Sequence, residues 1–476
     1  MSNIIIGKNN NPIAIIIFGG TGDLAKTKLF PALLDLYVAG ELPSVFTIIG
    51  LSRKELSDAD YQTFVAKSIA EKGHHHAKTV IQSFCTHLHY VAGSFAESSS
   101  YKRIKAILLN FDESIGQCTN KLFYLAVPPQ YYEEIFEQLH QSNALALCAG
   151  LDSWSRLLVE KPFGRDLVTA QALEHKLCTL FQDEQIYRID HYLAKDAIEN
   201  IISLRFANSI LADSWNKERI ESITIRLLET KDVANRGSFY DGIGTLRDVG
   251  QNHMLQILAL LTIPAVDVHD ATQMRAARTA VLQTLLTTSP DSVIRGQYNG
   301  YRQTLGVAPD SETETYFKIS TVATTPVWRG VRYTLEAGKA LDRSINETII
   351  TFKALDQCHC ASKPDAHTHQ NVLTITFAPT QKMSLTMWVK KPGFIFELEQ
   401  RELELLHTAT TDSHSPEAYE RVLYDCIVGD QTRFVSGAEV ETAWQFITPI
   451  LEHFKTLPLH TYEPGSAGPV DASRSE

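Results

Sequence analysis

The stretch PIAIIIFGGTGDLAKTKLFPALLDLYVAGELPSVFTIIGLSRK, residues 12–54, decides the fold. Its apolar run at 13–18 is short and rich in β-branched residues, which reads as a buried strand. Gly19, Gly20 and Gly22 then turn the chain. Leu29, Leu33, Leu36 and Tyr37 follow at helical spacing until Gly40, and a second apolar run, FTIIGL, comes next. Strand, glycine turn, helix, strand is a βαβ unit. It implies a parallel sheet with helices on both faces.

Working outward, KLFYLAVPPQYYEEIFEQL at 121–139 and RLLVEKPFGRDLVTAQALEHKL at 156–177 repeat the rhythm. An α/β dinucleotide-binding domain of the Rossmann type, with a doubly wound parallel sheet, is therefore expected over residues 1–187. Beyond it the pattern changes. RIESITIRLLET at 219–230, NVLTITFAPT at 371–380 and KMSLTMWVKKPGFIFELEQREL at 382–403 read as strands without regular helical crossovers. Residues 188–476 are thus expected to form an α+β domain with a large, mainly antiparallel sheet. Residues 1–11 read as a loose polar arm, and the tail from about residue 464 as disordered.

The chain has 476 residues, 44% hydrophobic and 21% charged, which is ordinary globular composition. A net charge of -11 argues against nucleic acid or an anionic membrane as partner, because both call for a positive surface. An anionic ligand must then be held by local cations. No apolar run approaches the roughly 20 residues that span a bilayer, and no secretory signal is visible. Seven scattered cysteines read as reduced thiols in the cytoplasm.

The loop at 18–25 sits where a phosphate loop belongs, which makes Gly19, Gly20, Thr21, Gly22, Asp23 and Leu24 the candidate cofactor-binding residues. Glycines admit a pyrophosphate close to the backbone, and a helix starting near Asp23 aims its N–H groups and positive dipole end at the anion. The spacing is not G-x-G-x-x-G, and a purely structural glycine turn also fits. The second strand ends in Ser52, Arg53 and Lys54, with no acid before Glu55. A cation in that place suits the 2′-phosphate of NADP, where an acid would suit NAD; a solvated basic turn is the plainer alternative.

Together with VEKPFGRDL at 159–167, YRIDHYLAKD at 187–196, RGSFYDGIGTLRDVGQNHMLQ at 236–256 and GVRYTLEAGKAL at 330–341, these motifs resemble the glucose-6-phosphate dehydrogenase family over nearly the whole chain. LRFAN at 204–208, RGQYNGYR at 295–302 and PEAYERVLYDCIVGDQTRFV at 416–435 follow the family in the same order. The resemblance implies oxidation of C1 of glucose 6-phosphate to the lactone with hydride transfer to NADP, the first step of the oxidative pentose phosphate pathway. It implies His253 as the base for the O1 proton and Asp190 as the carboxylate that orients its imidazole. It places His191, Tyr192 and Lys195 at the sugar phosphate. Glu229, Asp248 and Lys339 match further substrate contacts, and Lys161 matches a lysine reaching both substrate and coenzyme. No metal is implied, and a homodimer or homotetramer is.

Were 191–195 helical, His191 and Lys195 would share one face. Departures from the family pattern include Ala194, Asp196, Ser344 in the place of a second cation with Arg343 beside it, and Gly250. That glycine replaces a bulkier apolar residue and is expected to loosen its segment. Cys358, Cys360, His367 and His369 read as a polar insertion before a zinc site. The triplet at 74–76 reads as a helix end, and DSETET at 310–315 as a solvated loop. Two other readings remain open: an oxidoreductase of the glucose–fructose oxidoreductase kind, which lacks the RIDHYL block, and a catalytically dead homologue.

Overall fold

A computed structural model describes residues 11–71, 76–145, 153–286, 292–355, 369–406 and 416–469. Every residue of β1 (Ile13–Phe18) and β2 (Phe46–Ser52) is buried, as unbroken apolar runs require in a sheet covered on both faces. β1 pairs in parallel with β2 and with β4 (Asn120–Leu125). β3 (Leu88–Ala92) extends one side; β5 (Ser155–Val159) and β6 (Ile186–Ile189) extend the other, all in parallel. The strand order therefore reverses between β1 and β4, the place where a doubly wound sheet opens a crevice at its carboxyl ends.

The chain forms two compact units whose boundaries differ from the expected split at 187/188. The first holds Met1–Gly164, Val168–Ala194 and Pro416–Gly437; the second holds Arg165–Leu167, Lys195–Ser415 and Ala438–Glu476. The late return has a packing cause. The helix Ala418–Val428 buries Val422, Leu423, Cys426 and Ile427 in the same core as β1, β2 and β4. Arg156 of β5 donates to the carbonyls of Cys426 and Ile427 at 2.5 and 2.9 Å. β15 (Phe434–Val435) then closes the sheet edge antiparallel to β6. Helical periodicity says that such a helix needs a core, and does not say which one.

In the second unit, β7 (Ile220–Leu228), β8 (Val293–Tyr298), β9 (Tyr316–Val322), β10 (Arg332–Gly338) and β11 (Ile345–Phe352) join β12 (Val372–Ala378), β13 (Lys382–Lys390), β14 (Leu398–Leu406) and β16 (Leu459–Tyr462). The order is β14-β13-β12-β11-β7-β10-β9-β8-β16. Neighbours run antiparallel except β7 with β10 and β8 with β16, which are parallel.

Two expectations need correction here. Residues 464–469 are not a disordered tail: the N–H of Gly465 donates to Ala340 at 2.8 Å, and that of Asp342 to the carbonyl of Ser466 at 2.8 Å. Main-chain bonds to a neighbouring turn hold them, which composition cannot report. The thiols are not all reduced either. Cys85, Cys178 and Cys426 are free, while Cys118 is disulfide-bonded to a partner outside the described residues. The loose arm at 1–10, the extreme tail from 470, and the Cys/His loop up to residue 368 also lie outside them. His369 stacks on Trp388 with ring centroids 4.2 Å apart. In the histidine triplet, His74 and His75 lie outside the described residues, and His76 bonds Asp35 at 2.6 Å.

Candidate active site

In the first unit the glycine loop joins β1 to a helix that begins at Asp23. Gly19 sits at φ +87°, and a Cβ there would lie 2.3 Å from the carbonyl oxygen of Ala126. A Cβ on Gly20 would meet the hydroxyl of Tyr61 at 2.6 Å. Both glycines are thus demanded by the loop's own packing, while Gly22 keeps the helix start bare. The N–H of Thr21 donates to the hydroxyl of Ser52 at 3.1 Å, tying the loop to the end of β2. Ser52 is buried, so its first task is to hold the loop. The first turn of the helix, with Asp23 and Leu24, supplies the N–H groups that no helix can satisfy internally.

Arg53 stands exposed at the end of β2, its guanidinium 5.8 Å from the Tyr131 ring centroid. Lys54 and Lys26 both lie over a second aromatic, Phe64, at 5.7 and 5.5 Å from its ring centroid. The carboxyl end of β2 is therefore cationic, and the loop and this cluster fit a phosphorylated dinucleotide.

At the end of β5, Glu160 precedes Lys161, whose bond to Pro162 is cis. Burial pushes the Glu160 carboxyl above the usual range, Tyr124 and Tyr419 donate hydrogen bonds that pull it down, Lys161 pulls the same way, and Asp190 pushes it up. The Tyr124 bond is 2.6 Å, and Tyr132 donates to the Glu160 carbonyl at 2.9 Å. A carboxylate so held fixes the strand end from which Lys161 projects.

The stretch 188–196 divides its labour. Arg188 is fully buried and forks onto Glu174 at 2.6 and 2.9 Å, so it braces the fold. Asp190 is 3% exposed. Its carboxylate accepts from the N–H of Tyr192 at 3.0 Å, and its carbonyl from the N–H of Leu193 at 3.0 Å. That turn replaces the helix considered above: His191 to Ala194 are in a turn, and the helix starts only at Asp196, with Lys195 as its extended N-cap. The carboxylate of Asp190 and its carbonyl close this turn on the two N–H groups that follow, and the helix proper waits until Asp196. His191 lies beside Tyr192 and stacks on Tyr419, with ring planes 14° apart and centroids 6.2 Å apart.

In the second unit, Lys339 bonds Glu229 at 2.7 Å across the β7–β10 pair. Ser344 accepts from the N–H of Thr230 at 2.9 Å, anchoring the residue beside Glu229. Arg343 faces Asp342 at 3.7 Å. Lys195 belongs to this unit as well, heading the helix Asp196–Phe206.

Asp248 and His253 share the helical segment Leu246–Met254, which is π-helical. This matters for their direction. Five residues in an α-helix, at about 100° each, set two side chains roughly 140° apart. A π-helix bonds i to i+5 and brings such a pair close to one face, a geometry frequent at functional sites. His253 is 1% exposed and Asp248 half-buried. Gly250 does not loosen the segment. A Cβ there would lie 2.7 Å from Leu246 and 2.9 Å from the Phe317 ring, so the missing side chain is replaced by a packed phenyl group from β9.

DSETET is not a solvated loop. Ser311, Glu314 and Thr315 are buried, while Glu312 and Asp310 face solvent. A wholly polar stretch offers no apolar pattern that would announce this burial; it follows from partners elsewhere in the chain. Glu314 accepts from the N–H of Leu246 at 3.0 Å, and burial raises its carboxyl to about 7 from an ordinary 4.5. The native state thus holds this proton more tightly than the unfolded chain. The resulting stability is full below about pH 4.5 and lost as pH rises through 7. Glu314→Gln, uncharged throughout, should gain on the wild type between pH 5 and 8, by up to roughly 3 kcal/mol. Urea titrations at both pH values check it; a pH-independent difference would contradict the buried acid.

Among the described residues no helix is long and apolar enough to cross a membrane. Comparison with known proteins adds an independent line. Residues 16–200 match the glucose-6-phosphate dehydrogenase NAD binding domain, and residues 202–475 match the C-terminal domain of the same family. A glucose-6-phosphate 1-dehydrogenase of Chlamydia muridarum is 33% identical over 478 residues, covering 97% of this chain and 94% of that protein. One of Mycobacterium tuberculosis is 34% identical, covering 96% and 91%. A solved glucose-6-phosphate dehydrogenase in complex with its substrate glucose-6-phosphate superposes with a TM-score of 0.88 at 32% identity, covering 96% of this chain and 95% of that one. A Mycobacterium avium structure gives 0.83 at 30% identity, with the same coverage.

Proposed function

The chain belongs to the glucose-6-phosphate dehydrogenase family, and from that premise we propose how its own residues divide the work. It is an NADP-dependent dehydrogenase that oxidises glucose 6-phosphate at C1 to the 6-phosphogluconolactone. NADP, when bound, supplies the hydride acceptor. The chain must grip the phosphate, align C1, and take the proton from O1.

His253 takes that proton. A neutral imidazole is a competent base near pH 7, and the observation that carries the reading is its burial on a π-helix with Asp248, which binds a sugar hydroxyl. Asp190 orients the imidazole and stabilises its charged form. His191, Tyr192 and Lys195 hold the phosphate, Glu229 and Lys339 the sugar, and Lys161 serves substrate and coenzyme together. The glycine loop and the first helical turn hold the pyrophosphate, and Arg53 the 2′-phosphate. The test is an absorbance assay at 340 nm comparing glucose 6-phosphate with free glucose, and NADP with NAD. Equal rates with both sugars would remove the phosphate-site reading.

Coenzyme choice has its own test. Arg53→Ala should raise KM for NADP about ten- to a hundredfold, the worth of one charge-assisted contact, and leave NAD use nearly unchanged. Equal losses with both coenzymes would show that Arg53 does not read the 2′-phosphate.

The protein works in the cytoplasm as a homodimer or homotetramer. Support for assembly comes from the edge of the second sheet, where Phe394, Ile395 and Phe396 in the β13–β14 connection and Leu403 and Leu405 on β14 are all more than half exposed. Light scattering of the purified protein measures it; a monomer at micromolar concentration would contradict it.

A further inference from the structure

We propose that Glu314 is a positioning residue for the π-helix that carries Asp248 and His253, setting the direction of the base through the N–H of Leu246, where the π-helical winding starts. The inference rests on the assignment of His253 as base.

The geometry is local to the second unit. The segment preceding the helix is fastened at each step by the stretch before β9. Asp241 accepts from the hydroxyl of Thr313 at 2.9 Å and from that of Ser311. The N–H of Gly242 donates to the Thr313 hydroxyl at 2.8 Å. Gly244 lies at φ +77°, and a Cβ on it would fall 2.2 Å from a Glu314 carboxylate oxygen, so the carboxylate rests directly on bare backbone. The N–H of Thr245 donates to the Glu314 carbonyl at 3.1 Å, and the N–H of Leu246 to its carboxylate at 3.0 Å. Glu314 therefore holds Thr245 with its main chain and Leu246, where the π-helical winding starts, with its side chain.

Three residues further on, Phe317 occupies the space over Gly250 in the middle of the same helix. One short segment grips the helix in its first turn and at its centre. A π-helix is a strained choice that persists only where its surroundings over-determine it. The carboxylate is also the acceptor of choice at a helix N-terminus, where N–H groups lack internal partners. Arg247 and Arg295 are the cations nearest in effect to Glu314, and Tyr240 lies in its field. Both arginines are engaged elsewhere: Arg247 donates to the carbonyls of Arg165 and Ile243, and Arg295 to that of Leu457. The carboxylate is thus buried for the helix rather than for an ion pair.

The experiment compares Glu314→Ala, Glu314→Asp and Glu314→Gln in the full-length protein, with folded fraction established by circular dichroism. Glutamine keeps an oxygen at the same reach, whereas aspartate falls one methylene short. In the Ala and Asp variants kcat should fall at least tenfold at 25 °C, since a misplacement of about 1 Å costs up to a hundredfold. The C1-deuterium isotope effect on kcat should rise, and KM for NADP should stay within twofold. Glutamine should restore kcat to within threefold of wild type. A role in stability alone would lower the melting temperature and leave the isotope effect where it was. If the Ala variant does not fold, the Asp variant carries the test: wild-type kcat and isotope effect in it would overturn the proposal. Failure of the base assignment is read separately, from a His253→Asn protein that keeps its kcat.

Discussion

His253→Asn is expected to lower kcat at least a hundredfold while glucose 6-phosphate still binds. O1 must lose its proton as C1 gives up its hydride; otherwise a protonated carbonyl accumulates in the transition state at high cost. A positioned imidazole contributes about 10²–10⁴-fold to such a step. Asparagine is close in size and polar, so the buried site is neither emptied nor left apolar. The substitution touches neither the glycine loop nor Lys195, which is why KM should move little. The check is steady-state kinetics with a C1-deuterium isotope effect to establish that chemistry limits the rate. Retention of more than a tenth of wild-type kcat under that condition would remove His253 from the role of base.

Lys195→Ala should reduce kcat/KM for glucose 6-phosphate by roughly ten- to a hundredfold and lower kcat as well. Part of the phosphate binding energy serves to align C1, so its loss is felt in the chemical step and not only in affinity. Activity with unphosphorylated glucose should change much less. The fold offers a control on this reading. Lys195 heads the helix Asp196–Phe206, whose first turn carries Asp196 and Glu199, and a cation at a helix N-terminus opposes the dipole. With respect to the dipole the lysine does not favour the helix, so a phosphate-binding role predicts an alanine protein that melts within a few degrees of wild type. Equal damage to both sugars, or a melting point lowered by several degrees, would point to a structural role.

The nucleotide half of the site was legible because its signals are local. Glycines at a strand end, an apolar helix face and two consecutive cations are all contiguous in sequence, and residues 13–54 fold as they read. What the sequence concealed depends on partners far along the chain. The condition that 191–195 be helical is not met: residues 191–194 are a turn and the helix starts only at Asp196, a boundary that no spacing rule reveals. Gly250 looked like a weakness until Phe317 filled its space. Glu314 sat in a run of acids, serine and threonines with no apolar pattern to announce its burial. The π-helical winding of 246–254 has no periodic signature of its own in nine residues. The roles given to Asp190, His253 and the phosphate ligands came from resemblance, and the kinetic variants above are what test them.

The return of residues 416–437 to the nucleotide unit sets a timetable for biosynthesis. Residue 194 leaves the ribosome with β1 to β6 complete, yet the apolar patch that Val422, Leu423, Cys426 and Ile427 will cover is still bare. Its lid is translated about 240 residues later, roughly 12–50 s at 5–20 residues per second. Throughout that interval the nascent chain carries a parallel sheet whose β6 edge is unpaired and a core with an uncovered apolar patch, the kind of surface that recruits chaperones or aggregates. A premature stop between residues 194 and 418 would therefore release a fragment holding every residue of the phosphate loop and Arg53 but lacking the helix that seals their core. The first half of this gene product is not a separable nucleotide-binding module, and its maturation waits on the last quarter.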